Sequence, residues 1–417
     1  MIDYIILLMF VVSIYYTFKY KCPQRNIFIK SKEVFFVNKT KSAYQSFLVA
    51  LASHIGVGNI IGVTTALIYG GPGSIFWMVV FAIFTSVFSL MENTLSVKYR
   101  VKVNDEYRGG SAYYIYYGLK KNFLGLIVAI FLLITSCVIF QSLQVNALSE
   151  SIKIVFTLDE KIIYIIIVLF TILFIFSGTK MIIKLSEIIV PIMAISYLVI
   201  VLLGIILNIK ELPSVISLIF KEAFNFRSIF AGGLYIGIKR SLFSHEAGLG
   251  TMPTISAMSD VKKSIDQGYV QMLGVFIDTV FMCSLTGIMI LVHGVDLNNY
   301  TGYDLIIYTF NKIFGDFGKY IGCFFLGIFA LGTIISQYYL GESNLIFITK
   351  QKENKIFIFC YQVLFIVGIT IGVFFPLNKI WDMIDYGMVV LGVINIIVLI
   401  AMEKEFKNEF INGNNFI

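Results

Sequence analysis

The sequence predicts an all-α integral membrane protein of about 11 transmembrane helices, in which one extra N-terminal helix precedes two inverted repeats of five. Three observations predict this fold class. The composition is too apolar for a soluble domain, hydrophobic segments recur in the same order in both halves of the chain, and the first segment of each half is interrupted at a matching place. Together they indicate a polytopic protein with a polar centre.

The composition excludes most soluble classes. Hydrophobic residues make up 58% of the 417 residues and charged residues only 14%, with a mean hydropathy of +0.87. A soluble domain could not cover that much apolar surface. The net charge of +7 lies mainly in loops between apolar segments, which indicates membrane orientation rather than nucleic-acid binding. The five cysteines are scattered and predict neither a disulfide nor a metal site.

Apolar segments long enough to cross a bilayer define the elements. They are numbered span zero to span ten and are predicted at residues 2–18, 43–69, 74–97, 123–148, 162–178, 187–208, 228–261, 269–293, 320–348, 356–375 and 381–402. The first segment begins with Asp3 rather than with basic residues and lacks a small-residue cleavage site, so we expect an uncleaved span.

Lysine and arginine predict the orientation. They are concentrated in alternate loops, beginning with the loop after span zero. Basic loops stay in the cytoplasm, so we expect the N-terminus outside and the C-terminus inside. The sequence therefore predicts a multi-pass protein of a bacterial or archaeal plasma (inner) membrane.

The spans form two sets of five. Spans seven to ten begin about 195 residues after spans two to five. Because five is odd, the second set must enter the membrane from the opposite face, as in an inverted repeat. The predicted organisation is an extra span with a basic cytoplasmic linker at 1–42, a first repeat at 43–208, a second repeat at 209–402 and a short cytoplasmic tail at 403–417.

Spans one and six carry matching interruptions, at 53–59 (SHIGVGN) and 244–251 (SHEAGLGT). An opened helix exposes backbone groups that lipid cannot satisfy, so these helices are predicted to be discontinuous beside a cavity or an ion. Paired breaks are a pointer to a transporter's binding site. Freed carbonyls attract a cation and freed N–H groups attract a carboxylate, which suits a zwitterionic amino acid with a sodium ion. Close helix packing at the glycines stays an alternative.

Polar residues elsewhere in the spans are candidates for the same site. In span three, Gln144 either lines a cavity or forms interhelical hydrogen bonds. In span eight, the Thr333 hydroxyl is a candidate sodium ligand opposite the span-one break, with Ser336 one turn away.

Ionisable residues within spans are functional candidates by default. We favour an ion-pair or gating network over a proton relay or direct sodium ligation, and both alternatives stay open. The residues concerned are Glu92, Arg240, Glu246, Asp278 and Glu342.

The chain resembles the sodium:alanine symporter family, also called alanine or glycine:cation symporters. The resemblance runs from about residue 40 to 402 and rests on several separate blocks. They are 56–63 (GVGNIIGV), 70–78 (GGPGSIFWM), 107–115 (YRGGSAYYI), 238–250 (IKRSLFSHEAGLG), 267–268 (QG), 273–279 (LGVFIDT) and 338–342 (YYLGE).

This resemblance implies a leucine-transporter-type fold and sodium-driven uptake of a small neutral amino acid, alanine or glycine first, with sodium as coupling ion and no other cofactor. It implies sodium near Val57, Thr333 and Ser336. The substrate contacts that it implies are Gly56, Gly58, Asn59, Gln144, Phe243, His245, Gly248 and Gly250.

The chain departs from the family's usual pattern at three positions. Val57 replaces a threonine of the first break, His245 replaces an asparagine of the second, and Gly332 stands beside Thr333 where the family often has serine. The first and third changes each remove a hydroxyl, so the substrate and the strength of sodium coupling are open at this stage.

Three other functions remain to be weighed. Proton coupling through Glu246, Asp278 or Glu342 would still be transport. A membrane-embedded transferase would need a nucleophile, a base cluster or metal ligands, and the three histidines lie far apart in the chain. A sensor would need an output domain, and the tail is too short to fold alone. The sequence therefore predicts a transporter, not an enzyme.

Overall fold

The computed structural model describes residues 2–103, 106–175, 178–226, 232–297, 300, 302–350 and 354–414. The described part is almost entirely helical. Its α-helices are α1 Ile2–Lys19, α2 Ile27–Lys32, α3 Lys41–His54, α4 Val63–Gly70, α5 Gly73–Lys98, α6 Ser111–Tyr113, α7 Asn122–Ile134, α8 Gln141–Phe156, α9 Glu160–Ile175, α10 Gly178–Leu207, α11 Leu212–Ala223, α12 Leu234–His245, α13 Met252–Ser256, α14 Ser264–Val275, α15 Ser284–Val292, α16 Gly302–Phe314, α17 Gly318–Ile348, α18 Lys355–Phe374, α19 Leu377–Ala401 and α20 Glu403–Asn414.

Shorter elements join these helices. Two strands, β1 Val101–Val103 and β2 Glu106–Arg108, pair antiparallel with Val101 opposite Arg108. Wider π-helical turns lie at Glu33–Val37, Gly58–Gly62, Tyr114–Gly118, Thr135–Phe140 and Phe276–Cys283, and 3₁₀ turns lie at Pro23–Asn26, Ile209–Glu211 and Gly315–Phe317. Such π turns are frequent at functional sites.

Seven helical segments among the described residues are long and apolar enough to cross a membrane, or nine if each of two bent pairs counts as one span. The other predicted spans coincide with shorter pieces. Helix α9 has 16 residues, and the end of that predicted span, at 176–177, lies outside the described residues. The start of predicted span six, within 227–231, lies outside them too, and α12 and α13 follow. The count of 11 and the inverted repeat therefore stay predictions.

The molecule has a basic face, defined by Lys19, Lys98 and Lys262, which lie at or just beyond helix ends. Helix α20 lies across this face. Its Phe406 is fully buried, with its ring centroid 4.9 Å from that of Tyr20. Glu405 pairs with Lys98 at 2.6 Å. The last helix thus joins the ends of α1 and α5.

Helix α5 lies at the centre and packs against α1, α12 and α14. Its apolar side chains Phe81 and Phe88 are fully buried, and so is the carboxylate-bearing Glu92. Burying a charge is costly unless hydrogen bonds compensate for it. The polar core therefore marks the region where the two breaks need partners.

Candidate functional site

The predicted break in span one is present. Helix α3 ends at His54, and the chain resumes in the π turn at Gly58 after a bend of 46°. The freed N–H of Val57 donates to Oε1 of Gln144 at 3.1 Å. Gln144 therefore lies at the break, and its amide caps a backbone donor that the bend releases.

Thr333 also lies against this break. Its hydroxyl is 3.1 Å from the carbonyl oxygens of Ala52 and Phe329. A Cβ added at Gly56 would collide with Thr333 Oγ1, so only glycine allows this approach. The Ser336 hydroxyl donates at 3.0 Å to the Thr333 carbonyl of its own helix. The structure thus brings Thr333 to the break and engages Ser336 elsewhere.

The predicted break in span six is present as well. Helix α12 ends at His245, Glu246 has a φ of 52°, and Gly248 and Gly250 have φ values of 89° and 79°. A side chain at either glycine would be strained. Helix α13 then begins at Met252. Six residues, 246–251, therefore lie between the two helices, and the N–H groups of Ala247, Gly248 and Gly250 donate to side chains rather than to helical carbonyls.

Glu92 supplies partners for this second break. Its two carboxylate oxygens accept the N–H groups of Gly248 and Gly250, each at 3.1 Å. Asn395 of α19 donates to the same carboxylate at 2.7 Å and to the Gly248 carbonyl at 3.0 Å. Glu92 thus caps an opened helix with hydrogen bonds, and it forms no ion pair within the described part of the chain.

Asp278 connects both breaks with the π turn after α14. Its carboxylate accepts hydrogen bonds at 2.7 Å from Asn59 of the first break, Ser244 of the second and its neighbour Thr279. Asp278 and Asn59 are fully buried. The Asn59 Oδ1 atom makes no hydrogen bond with any described residue. Carboxylate, amide and hydroxyl oxygens converge here, and no basic side chain among the described residues pairs with them, which is chemistry suited to a small hard cation.

Phe243 forms an apolar wall over the first break. A Cβ added at Gly58 would lie 3.2 Å from its ring. The ring packs edge-on against Phe140 and Trp381, with centroid distances of 5.5 and 5.1 Å. Phe243 therefore contacts the first break as part of a cluster of three aromatic rings.

His245 faces α5 instead of the first break. Its Nδ1 accepts the N–H of Ala247 at 3.0 Å, and its Nε2 lies 3.2 Å from the hydroxyl of Thr85. The ring stacks on Phe81. Because Nδ1 is an acceptor, the hydrogen of the neutral ring is on Nε2. His245 therefore caps its own break.

An open vestibule of about 540 Å³ is lined in part by Trp381, Asp382 and Asp385, and Phe243 packs against the same tryptophan. Arg240 forms an ion pair with Asp385. The Arg240 guanidinium carbon lies 3.6 Å from the Trp381 ring centroid. Arg240, Asp385 and Trp381 thus form one connected part of the vestibule wall.

The other two predicted acids are Glu246, which interacts electrostatically with Asp278, and Glu342. Glu246 Oε2 is buried and makes no hydrogen bond with any described residue. Glu342 interacts electrostatically with Arg108 and Tyr338, toward the basic face. Sequence reasoning placed Ser244 in the second break but missed Asp385 and Asn395 as site residues. A polar side chain within an apolar span was the available signal for Asn395.

Comparison with known proteins identifies the family. The family model described as "Sodium:alanine symporter family" matches residues 1–412. The chain is 34% identical to the amino-acid carrier protein AlsT of Bacillus subtilis over 88% of this chain and 79% of that protein. It is 32% identical to the sodium/alanine symporter AgcS of Methanococcus maripaludis over 88% and 83%.

A solved structure shares the fold. The crystal structure of MhsT in complex with L-phenylalanine superposes with a TM-score of 0.65 at 15% identity, over 84% of this chain and 87% of that one. That likeness agrees with the predicted leucine-transporter-type fold. With two opened helices around a buried oxygen cluster, and relatives that are transporters rather than enzymes, the chain is a multi-pass secondary transporter that belongs to the sodium:alanine symporter family.

Proposed function

We propose that this protein imports a small neutral amino acid, alanine or glycine first, in symport with sodium by alternating access. The observation that carries the proposal is Asp278, a buried carboxylate that joins both helix breaks and has no basic partner within the described residues. An unpaired buried charge is costly, so a cation that binds there offsets the cost of its burial.

The proposed sodium ligands are oxygens already gathered at the breaks. Asn59 Oδ1, the Ser244 hydroxyl and the Asp278 carboxylate form one candidate site. The Thr333 hydroxyl and the Ala52 carbonyl form a second. The second site keeps the sequence prediction for Thr333. By contrast, the Val57 carbonyl accepts the N–H groups of Ile60 and Ile61, and the Ser336 hydroxyl donates to the Thr333 carbonyl.

The proposed substrate site lies between the breaks, with Gly56, Gly58, Asn59 and Gln144 below the Phe243 ring. The collision that a Cβ at Gly56 would make with Thr333 shows how little space this backbone leaves. Such a site favours a substrate whose side chain is a hydrogen or a methyl group. Gly248 and Gly250 contribute the positive φ angles of the second break, and His245 stabilises this break by accepting the N–H of Ala247.

The proposed gates follow from the positions of one ion pair and one hydrogen-bond network. Arg240 and Asp385 close the site toward the vestibule, and the network of Glu92 with Asn395 closes it toward the basic face. With the basic face in the cytoplasm, the vestibule opens outside. One sodium ion that moves inward across about 100 mV supplies about 2.3 kcal/mol.

The test is uptake of labelled alanine or glycine into proteoliposomes under an inward sodium gradient. We expect uptake with sodium and little with choline, and Asp278→Asn should lower uptake at least ~10-fold by removing the charge that attracts sodium. Asp382→Asn removes an acid that only lines the vestibule, and it should leave sodium dependence intact. Equal uptake in sodium and choline would refute the coupling.

Proton coupling is the second candidate, because a buried carboxylate without a basic partner also binds protons. Glu246, whose Oε2 has no described partner, is the other acid that this alternative uses. It predicts uptake driven by a pH gradient and indifferent to sodium, which the same vesicles measure.

A further inference from the structure

Helix α3 and helix α14 share a line of polar contacts, here called the polar seam, that consists of Ser46, His54, Gln267 and Gln271. At one end, the Gln267 amide donates to the Ser46 hydroxyl at 3.1 Å. Farther along α14, toward the helix breaks, a Cβ added at Gly274 would lie 3.4 Å from His54 Nδ1. Beyond both of these contacts, the Asn59 amide donates to the Asp278 carboxylate at 2.7 Å. The two segments therefore run side by side from near the basic face to the proposed sodium site.

Spacing along the helices places the remaining member. Residues 267, 271, 274 and 278 recur at intervals of three and four, so they lie on one helix face. Gln271 stands between the two contacts that Gln267 and Gly274 make with α3. On α3, Ala50 lies four residues from both Ser46 and His54 and therefore on the same helix face. This spacing places its small side chain at the height of Gln271. At 1.5 Å per residue, the distance along this face from Gln267 to Asp278 is about 17 Å.

The polar atoms of the seam are buried and largely without partners. Ser46, Gln267 and Gln271 are fully buried, and His54 is 1% exposed. Both amide atoms of Gln271, both ring nitrogens of His54 and the Oε1 of Gln267 make no hydrogen bond with any described residue. Each such atom is costly to bury without a partner. Helix packing alone does not explain them, because polar groups that join helices bond to one another.

Water or an ion is the usual partner of buried polar groups that lack protein partners. We propose that the polar seam is a hydrated path along which the coupling cation passes between Asp278 and the basic face, separate from the route of the amino acid. This inference rests on the proposed sodium site. The glutamine oxygens and the histidine nitrogens give the cation successive partial ligands, and none of these atoms belongs to the aromatic wall at Phe243.

The experiment places single cysteines in a transport-competent chain whose five native cysteines are replaced. Silver ion, a monovalent cation that reacts with thiols, is added to the basic face of vesicles, and transport is measured afterwards. We expect silver to inactivate Gln271→Cys, and to do so more slowly in sodium than in potassium, because sodium occupies the same path.

Val270→Cys is the matched control. Val270 is the neighbouring residue, is equally buried and has an apolar side chain, so we expect it to stay unreactive. If Gln271→Cys transports normally and resists silver as Val270→Cys does, the path does not exist. Equal reaction in sodium and potassium would show that sodium does not share it. Failure of the proposed function gives a different result. Alanine uptake would then not depend on sodium, whether or not silver reacts with Gln271→Cys.

A second variant guards against a cysteine chain that fails to fold. Gln271→Met keeps the length of the side chain and removes its polar atoms. We expect the maximal uptake rate to fall at least ~5-fold while the external sodium concentration for half-maximal uptake stays unchanged, because the path acts after sodium binds. If Gln271 acts in helix packing alone, Gln271→Met should lower the thermal stability without lowering the maximal uptake rate at an unchanged half-maximal sodium concentration. That result would overturn the proposal.

Discussion

At the residue scale, Gly56 shows how a missing side chain shapes the site. The space that a Cβ would occupy is taken by Thr333 Oγ1, which lies beside the Ala52 carbonyl. The absence of a side chain at Gly56 therefore determines how closely span one and span eight approach each other. This closeness is what brings the Thr333 hydroxyl within reach of the freed backbone.

We predict that Gly56→Ala lowers sodium-dependent uptake at least ~10-fold, because Thr333 must move out of place. Gly62→Ala is the matched control, since a Cβ there meets no heavy atom within 4 Å. Both glycines lie in the same interrupted span. Sodium-dependent uptake by the two purified variants, each in proteoliposomes of the same composition, therefore separates the effect of the collision from the effect of replacing any glycine in this span by alanine. Equal loss in both would contradict the prediction.

At the scale of elements, the two breaks were predictable and their partners were not. Glycines and polar residues inside an apolar span are a local signal, and they located the openings after His54 and His245. Glu92 and Asn395 come from α5 and α19, far from Gly248 in sequence. Only tertiary packing brings them together, which is why Glu92 was placed in an ion-pair network and Asn395 was missed.

Helix α20 supports a prediction about pH. A hydrogen bond from Lys98 lowers the pKa of Glu405, which lies outside the spans. A lowered pKa contributes stability that is present above the unfolded-state value and is lost as the pH falls through the folded one. We expect α20 to loosen as the pH falls below the usual range of glutamate. The fluorescence of a Phe410→Trp variant, measured as a function of pH, would report this loosening. Adding Glu405→Gln should reduce the change in fluorescence over this pH range.

At the scale of the whole molecule, the ion pair of Arg240 and Asp385 joins span six to span ten across the vestibule. Arg240 is only 3% exposed, so the Asp385 carboxylate compensates for the burial of its charge. Lys239 lies 3.6 Å from the same carboxylate and 2.7 Å from Asp3 of span zero. Three spans are thus held together on this side by a small set of charges.

We predict that Asp385→Asn destabilises the protein by about 3–5 kcal/mol, because it leaves a buried guanidinium without its carboxylate. Removing both charges, with Arg240→Gln as well, should recover part of that loss. Thermal unfolding of both variants and of Asp382→Asn in detergent measures the effect. A double variant no more stable than the single one would show that the pair does not act as a unit.

The position of α20 also has a consequence for biogenesis. The ribosome makes this helix long after α1, yet its Phe406 packs beside Tyr20 and its Glu403 pairs with Lys19. Until α20 has been translated, the apolar surface around Tyr20 on the basic face stays uncovered. Closure of this surface therefore waits for the synthesis of α20, and a chain that stalls before Glu403 would present an exposed aromatic patch to quality-control proteases.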